Sequence, residues 1–148
     1  MNAGIRILLV EDEASLRRSL TKYLERAGYT FECCATAREA LALAERIDPD
    51  IVIAEYHLPD ANGAVLLKKL MWMLPDVSVI LLSEYEFQDI AKDLTHVTVR
   101  SILKKPFDLV EFEAALSSAR SKTKFMPLAD LEGEREFGFE GILGFTSK

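Results

Sequence analysis

The chain has little cysteine. Two residues in 148 carry a thiol, and they are neighbours, Cys33 and Cys34. Adjacent cysteines cannot staple distant segments, so a disulfide framework is excluded and the cytoplasm is the default compartment. Long apolar runs are missing too. None approaches the ~18 residues a membrane span needs. The first residues lack the basic-then-apolar order of a secretion signal. Positive charge is in deficit, with 18 Lys+Arg against 24 Asp+Glu and a formal net charge of -6. That argues against direct binding of nucleic acid or an anionic membrane by the chain as a whole. The two histidines, His57 and His96, lack metal-ligand spacing and are expected in surface loops. What the chain does have is apolar residues, at 49%. That suffices for one packed domain with at most a short appendage.

Apolar runs alternate with helical patterns. Ile5 to Val10 is fit for a buried strand. Leu16, Leu20, Leu24 and Ala27 recur at helical spacing across residues 13–27, and Gly28 stops that helix. Tyr29 to Cys34 reads as a second strand, with both cysteines packed. Thr36 and Glu39 form a capping box for a helix with Ala37, Ala40, Leu41, Ala44 and Ile47 on one face. Pro49 ends it, and Asp50 to Ala54 is the third strand. Residues 64–74 form a third helix, with Leu66, Leu67, Leu70 and Leu74 filling the core face, which leaves Trp72 partly exposed and expected in core or edge packing rather than as a partner hot spot. Val77 to Leu82 is the fourth strand. A weaker helix spans 86–94, and Val97 to Leu103 is the fifth strand. Asp108 and Glu111 cap a last helix carried by Leu109, Phe112, Leu116 and Ala119.

Five strand–helix pairs imply parallel βαβ units under helices on both faces. In such sheets the active crevice lies at the carboxyl ends of the strands. Glu11-Asp12-Glu13 ends strand one, Glu55 strand three, Ser83-Glu84 strand four and Lys104-Lys105-Pro106 strand five. Acids, a hydroxyl and a lysine gather at one edge. Clustered carboxylates suit Mg²⁺, and a hydroxyl with an ammonium suits phosphoryl oxygens.

The stretches "LLVEDE", "DIVIAEYHLPDANG", "VILLSE" and "LKKPF", in that order, resemble the receiver domain of two-component response regulators. The resemblance covers residues 5 to about 121. It implies a flavodoxin-like, CheY-like α/β fold with sheet order 2-1-3-4-5. It implies that Glu11 and Asp12 are the metal-binding acids, that Ser83 steers the phosphoryl group, and that Lys105 contacts it through a cis Lys105–Pro106 bond. Glu55 matches the phosphoacceptor, which in the family is an aspartate.

The glutamate is one methylene longer, about 1.5 Å on standard bond lengths. It would reach Ser83 and Lys105 without any phosphate. The position after the hydroxyl is usually small in the family and is Glu84 here. The position three before the lysine is usually a mobile aromatic and is Ile102 here. The expectation is a degenerate receiver that is not an enzyme: a monomer or weak homodimer that binds a protein partner, a signalling protein or kinase, with Mg²⁺ on Glu11, Asp12 and Glu55 weak at best. The alternative is a receiver still phosphorylated with Mg²⁺ in a phosphorelay. A Mg²⁺ phosphohydrolase using Asp12 would want a second aspartate where Ala14 stands. The receiver-like domain is set at 1–121. Residues 122–148, with Phe125, Phe137, Phe139 and Phe145, are expected as a disordered tail or a docking segment.

Overall fold

A computed structural model describes residues 4–121 of the chain. The expectations for residues 122–148 lie outside these described residues. Five parallel strands form one sheet in the order β2-β1-β3-β4-β5. They are β1 (Arg6–Val10), β2 (Thr30–Cys34), β3 (Ile51–Glu55), β4 (Ser78–Ser83) and β5 (Ser101–Lys104). The helices between and after them are α1 (Ala14–Arg26), α2 (Ala37–Ile47), α3 (Gly63–Met73), the single turn α4 (Phe87–Ile90) continued by a 3₁₀ turn (Ala91–Leu94), and α5 (Leu109–Arg120).

The apolar strands are apolar on both sides because both sides are covered. Ile7, Leu9, Ile51, Ile53, Ile80 and Leu82 point to one face, under Leu20 and Leu24 of α1 and Phe112 and Leu116 of α5. Their neighbours Leu8, Val10, Val52, Ala54, Val79 and Leu81 point to the other, under Ala40 and Ala44 of α2 and Leu66, Leu67 and Leu70 of α3. Successive residues of a strand alternate in direction, so one run of five feeds two cores. On the first face, α1 and α5 are also joined by polar bonds. Tyr23 donates its hydroxyl proton to Glu113, and Arg120 Nη1 donates to the Tyr29 hydroxyl at 2.8 Å.

Helix boundaries follow their caps. Gly28 leaves α1 with φ +86°, a conformation that favours glycine. Asp108 and Glu111 form the expected capping box of α5. Thr36 accepts from the Glu39 N–H at 3.1 Å, but the Glu39 carboxylate reaches past Thr36 to the Ala35 N–H at 3.1 Å. The reciprocal half of the expected box is thus displaced by one residue.

Five other expectations are corrected. Strand five covers four residues rather than seven. Val97 closes a turn onto Leu94, and Val97 and Val99 pack against the α2–α3 core from outside the ladder. The helix expected over 86–94 tightens into a 3₁₀ turn after Ile90. Cys34 is buried, yet Cys33 is exposed, because the two alternate across edge strand β2. Leu109 is exposed at the start of α5, and Trp72 is 87% exposed rather than in core or edge packing.

Candidate functional site

The carboxyl ends of β1, β3, β4 and β5 bring Glu11, Glu55, Ser83 and Lys105 to one edge of the sheet. Each arrives at the last turn of a strand that the core has already fixed. Lys105 follows β5 and is joined to Pro106 by a cis peptide bond. Its N–H donates to the Ser83 carbonyl at 2.8 Å, which holds the segment against β4.

Lys105 is the hub. Its Nζ lies 3.0 Å from Glu11 Oε1 and forms a second ion pair with Glu55 Oε1. The Glu11 side chain is fully buried, and that of Glu55 is 5% exposed. Neither Oε1 has another hydrogen-bond partner among the described residues. The ammonium is therefore what offsets two carboxylates held out of water. The remaining oxygens are also taken. Glu11 Oε2 accepts from the Glu13 N–H at 3.0 Å, and Glu55 Oε2 accepts from the His57 N–H at 2.8 Å.

Charge and burial oppose each other here. Burial pushes the Glu11 carboxyl above its usual range, against the pull of the Glu13 N–H and of Lys105. Burial alone would lower the Lys105 ammonium. The hydrogen bonds and charges of Glu55 and Glu11 outweigh it and raise the group above an ordinary lysine.

The other expected site residues stand apart from this triad. Asp12 is exposed on the loop after β1. Ser83 is buried, but its Oγ accepts from the Tyr85 N–H at 2.9 Å and makes no hydrogen bond to Glu55. Glu84 is exposed beside it, and Ile102 is half-buried in β5. His57 and His96 are exposed, as expected.

Mg²⁺ is the metal the residue types imply, and the arrangement does not fit it. The two carboxylates that converge do so on an ammonium. Asp12 does not join them, and no three potential ligands cluster among the described residues. A Mg²⁺ site wants several hard oxygens in octahedral array.

Two groups of the site escaped the sequence. Asp60, in the loop after β3, caps a helix that is distant in sequence. Its Oδ1 accepts from the Ala37 N–H at 2.8 Å and its Oδ2 from the Arg38 N–H at 3.0 Å. Those two bonds hold its carboxyl below the usual range. Tyr56, next to Glu55, is buried, donates its hydroxyl proton to Asp93 and meets the Tyr85 ring edge-on at 5.9 Å. A carboxylate in the turn before a helix was a visible signal for a cap. Nothing local, however, pointed Asp60 at α2 rather than α3. The Tyr56–Asp93 pair had no signal, since 37 residues separate its members.

Residues 7–117 match the response regulator receiver domain, and this decides the family. The chain belongs to the response regulator receiver family. Its membership makes it a receiver of two-component signalling. Over 105 residues it is 30% identical to the chemotaxis protein CheY of Thermotoga maritima, covering 70% of this chain and 88% of that one. Over 124 residues it is 30% identical to the sensor kinase CckA of Brucella abortus, covering 82% of this chain but only 13% of the kinase. Among solved structures, the signal receiver domain of an HD domain-containing protein from Pseudomonas fluorescens superposes with a TM-score of 0.75. The two are 29% identical, over 82% of this chain and 98% of that one. The sheet order of this receiver is the one the sequence motifs implied. No helix among its described residues is long and apolar enough to cross a membrane.

Proposed function

We propose that this receiver does not run a phosphorylation cycle and is not an enzyme, but acts as a protein–protein interaction module. Its partner is another signalling protein or a kinase. The observation that carries this reading is the position of Lys105 Nζ, shared between Glu55 Oε1 and Glu11 Oε1. Glu55 stands where the motif places the phosphoacceptor. Its carboxylate already holds the lysine that would contact a phosphoryl group. Glu11, one of the two acids assigned to the metal, holds the same lysine. Two further residues support the reading. The exposed carboxylate of Glu84 lies beside Ser83, where an anionic donor would approach. Ile102 has no ring to move between inward and outward positions. Mg²⁺ then binds weakly, because its carboxylates are already paired.

The test is incubation of the full chain with a small phosphodonor and Mg²⁺, followed by intact mass. No adduct is expected. A stoichiometric phosphoryl adduct cleaved by hydroxylamine would overturn the proposal and establish a receiver of the phosphorelay type.

A further inference from the structure

The segment between β4 and β5 is the least regular part of the fold. Its helical content is the single turn Phe87–Ile90 and the 3₁₀ turn Ala91–Leu94. These turns bury only Ile90 and Leu94, whereas α5 buries Phe112, Ala115, Leu116 and Ala119. A helix of one turn has almost no stability of its own. What fixes the segment must therefore reach it from elsewhere in the chain. Its outer side carries Tyr85 and Phe87, which are 45% and 56% exposed. We infer that Tyr56 is a latch that holds residues 85–94 against the sheet as one strap, and so fixes how Tyr85 and Phe87 are presented.

Three features suit Tyr56 to this. It reaches the segment on both sides of the α turn. Its ring meets the Tyr85 ring edge-on at 5.9 Å before the turn, and its hydroxyl donates to Asp93 after it. Its own position is fixed by the sheet. The Tyr56 N–H donates to the Leu82 carbonyl at 2.8 Å, the Tyr56 carbonyl accepts from the Gly63 N–H, and the side chain is buried in the core under α2 and α3. The bond to Asp93 is also of a strong kind, a hydroxyl on a carboxylate. The other polar ties are local or wet. Tyr85 N–H bonds the Ser83 hydroxyl two residues back, and Val97 N–H bonds the Leu94 carbonyl. Glu86 pairs with Lys104 at 3.1 Å, but both side chains are about half exposed, and such pairs contribute little. Tyr56 and Glu55 are consecutive in an extended backbone, so their side chains leave on opposite sides. The latch is thus set by β3 and not by the pairing of Glu55 with Lys105. That a partner reads Tyr85 and Phe87 rests on the interaction-module reading; the latch itself does not.

Amide hydrogen exchange of the full chain, read by mass spectrometry on peptides, tests the latch. Tyr56→Phe keeps the buried ring and removes only the donor. Losing a hydrogen bond to a charged acceptor should speed exchange across residues 86–97 roughly tenfold, with the amides of α2 and α5 unchanged. Asp93→Ala, at an exposed position, should give the same local acceleration without touching the core. The double variant should go no further than either single one, because both remove the same bond. Unchanged exchange in 86–97 for either single variant would overturn the proposal. So would an acceleration shared equally by α2 and α5, which belongs to a loss of global stability, or additive effects in the double variant. These readouts are the same whether or not Glu55 takes up phosphate, so the latch and the interaction-module reading fail separately.

Discussion

Replacing Lys105 with methionine isolates the energetics of the triad. The methionine retains most of the apolar stem, so the change is mainly the loss of one charge. Two carboxylates then remain, one fully buried and one 5% exposed, with no cation between them. Removing one member of a buried ion pair costs about 3–5 kcal/mol, because the other is left uncompensated. Small domains hold only about 5–15 kcal/mol in total. The expected loss at pH 7 is therefore a large share of the whole, with a melting temperature lower by about 10 °C. The pH dependence fixes the cause. Burial already raises the Glu11 carboxyl and Lys105 opposes that rise, so without the ammonium Glu11 titrates in the folded state further above its unfolded value of about 4.3. The folded state then binds protons more tightly than the unfolded one, so stability falls as pH rises above that value. The deficit of Lys105→Met should shrink between pH 7 and pH 5. The unsubstituted protein behaves differently at the alkaline end. Lys105 has a raised folded pKa, so its contribution is complete below about pH 10.4 and is lost as pH rises through the folded value. Urea unfolding at pH 7 and pH 5 measures both deficits. A loss under about 1 kcal/mol at pH 7, or equal losses at the two pH values, would refute the assignment of Lys105 as the group that offsets the buried acids.

Other substitutions test neighbouring parts of the edge. Glu55→Asp should take up phosphate slowly or not at all, and Glu55→Asp/Glu84→Ala faster than the single variant. Phosphorylation time courses compare them, and an ordinary receiver rate for the single variant would contradict the reading of Glu84. Gly63→Ala should destabilise by about 1–3 kcal/mol in urea. Its Cβ would sit 2.8 Å from the Tyr56 Cα and 3.1 Å from the Glu55 carbonyl oxygen, and backbone there cannot yield cheaply. Asp60→Asn should destabilise at neutral pH, with a deficit that fades as pH falls. The Asp60 carboxyl is held low by the Ala37 and Arg38 N–H groups. Its contribution is present above the unfolded pKa of about 3.9 and is lost as pH falls through the folded value. Thermal melts at pH 7 and pH 3.5 check this.

The order and type of the elements were legible because two periodicities alternate without conflict along the chain. Continuous apolar strands meant a doubly covered sheet, and the described cores divide as that rule requires. The ends of the sheet were less legible. Val97 and Val99 carry strand-like side chains, yet they contribute them to the core from a loop. Trp72 lay on an apolar helix whose inward stripe was already full, and composition cannot say which hydrophobic residue is left over. At the site, the Glu55–Lys105 pair could be anticipated from the extra methylene. Its third member could not. Glu11 was assigned to a metal by motif. Its turn toward Lys105 depends on side-chain directions set by β1 and on the Glu13 N–H that holds the other oxygen.

The bonds between α1 and α5 bear on the timing of folding. Tyr23–Glu113 and Tyr29–Arg120 join residues 90 and 91 positions apart. Contacts of such separation carry a large loop-closure cost and tend to form after the more local βα units have assembled. Side chains whose bonds are absent from the transition state affect escape from the native state and not entry to it. Tyr23→Phe and Arg120→Met should therefore steepen unfolding at a nearly constant refolding rate, which a urea chevron reads directly. A matching fall in the refolding rate would place the α1–α5 seam in the folding nucleus instead.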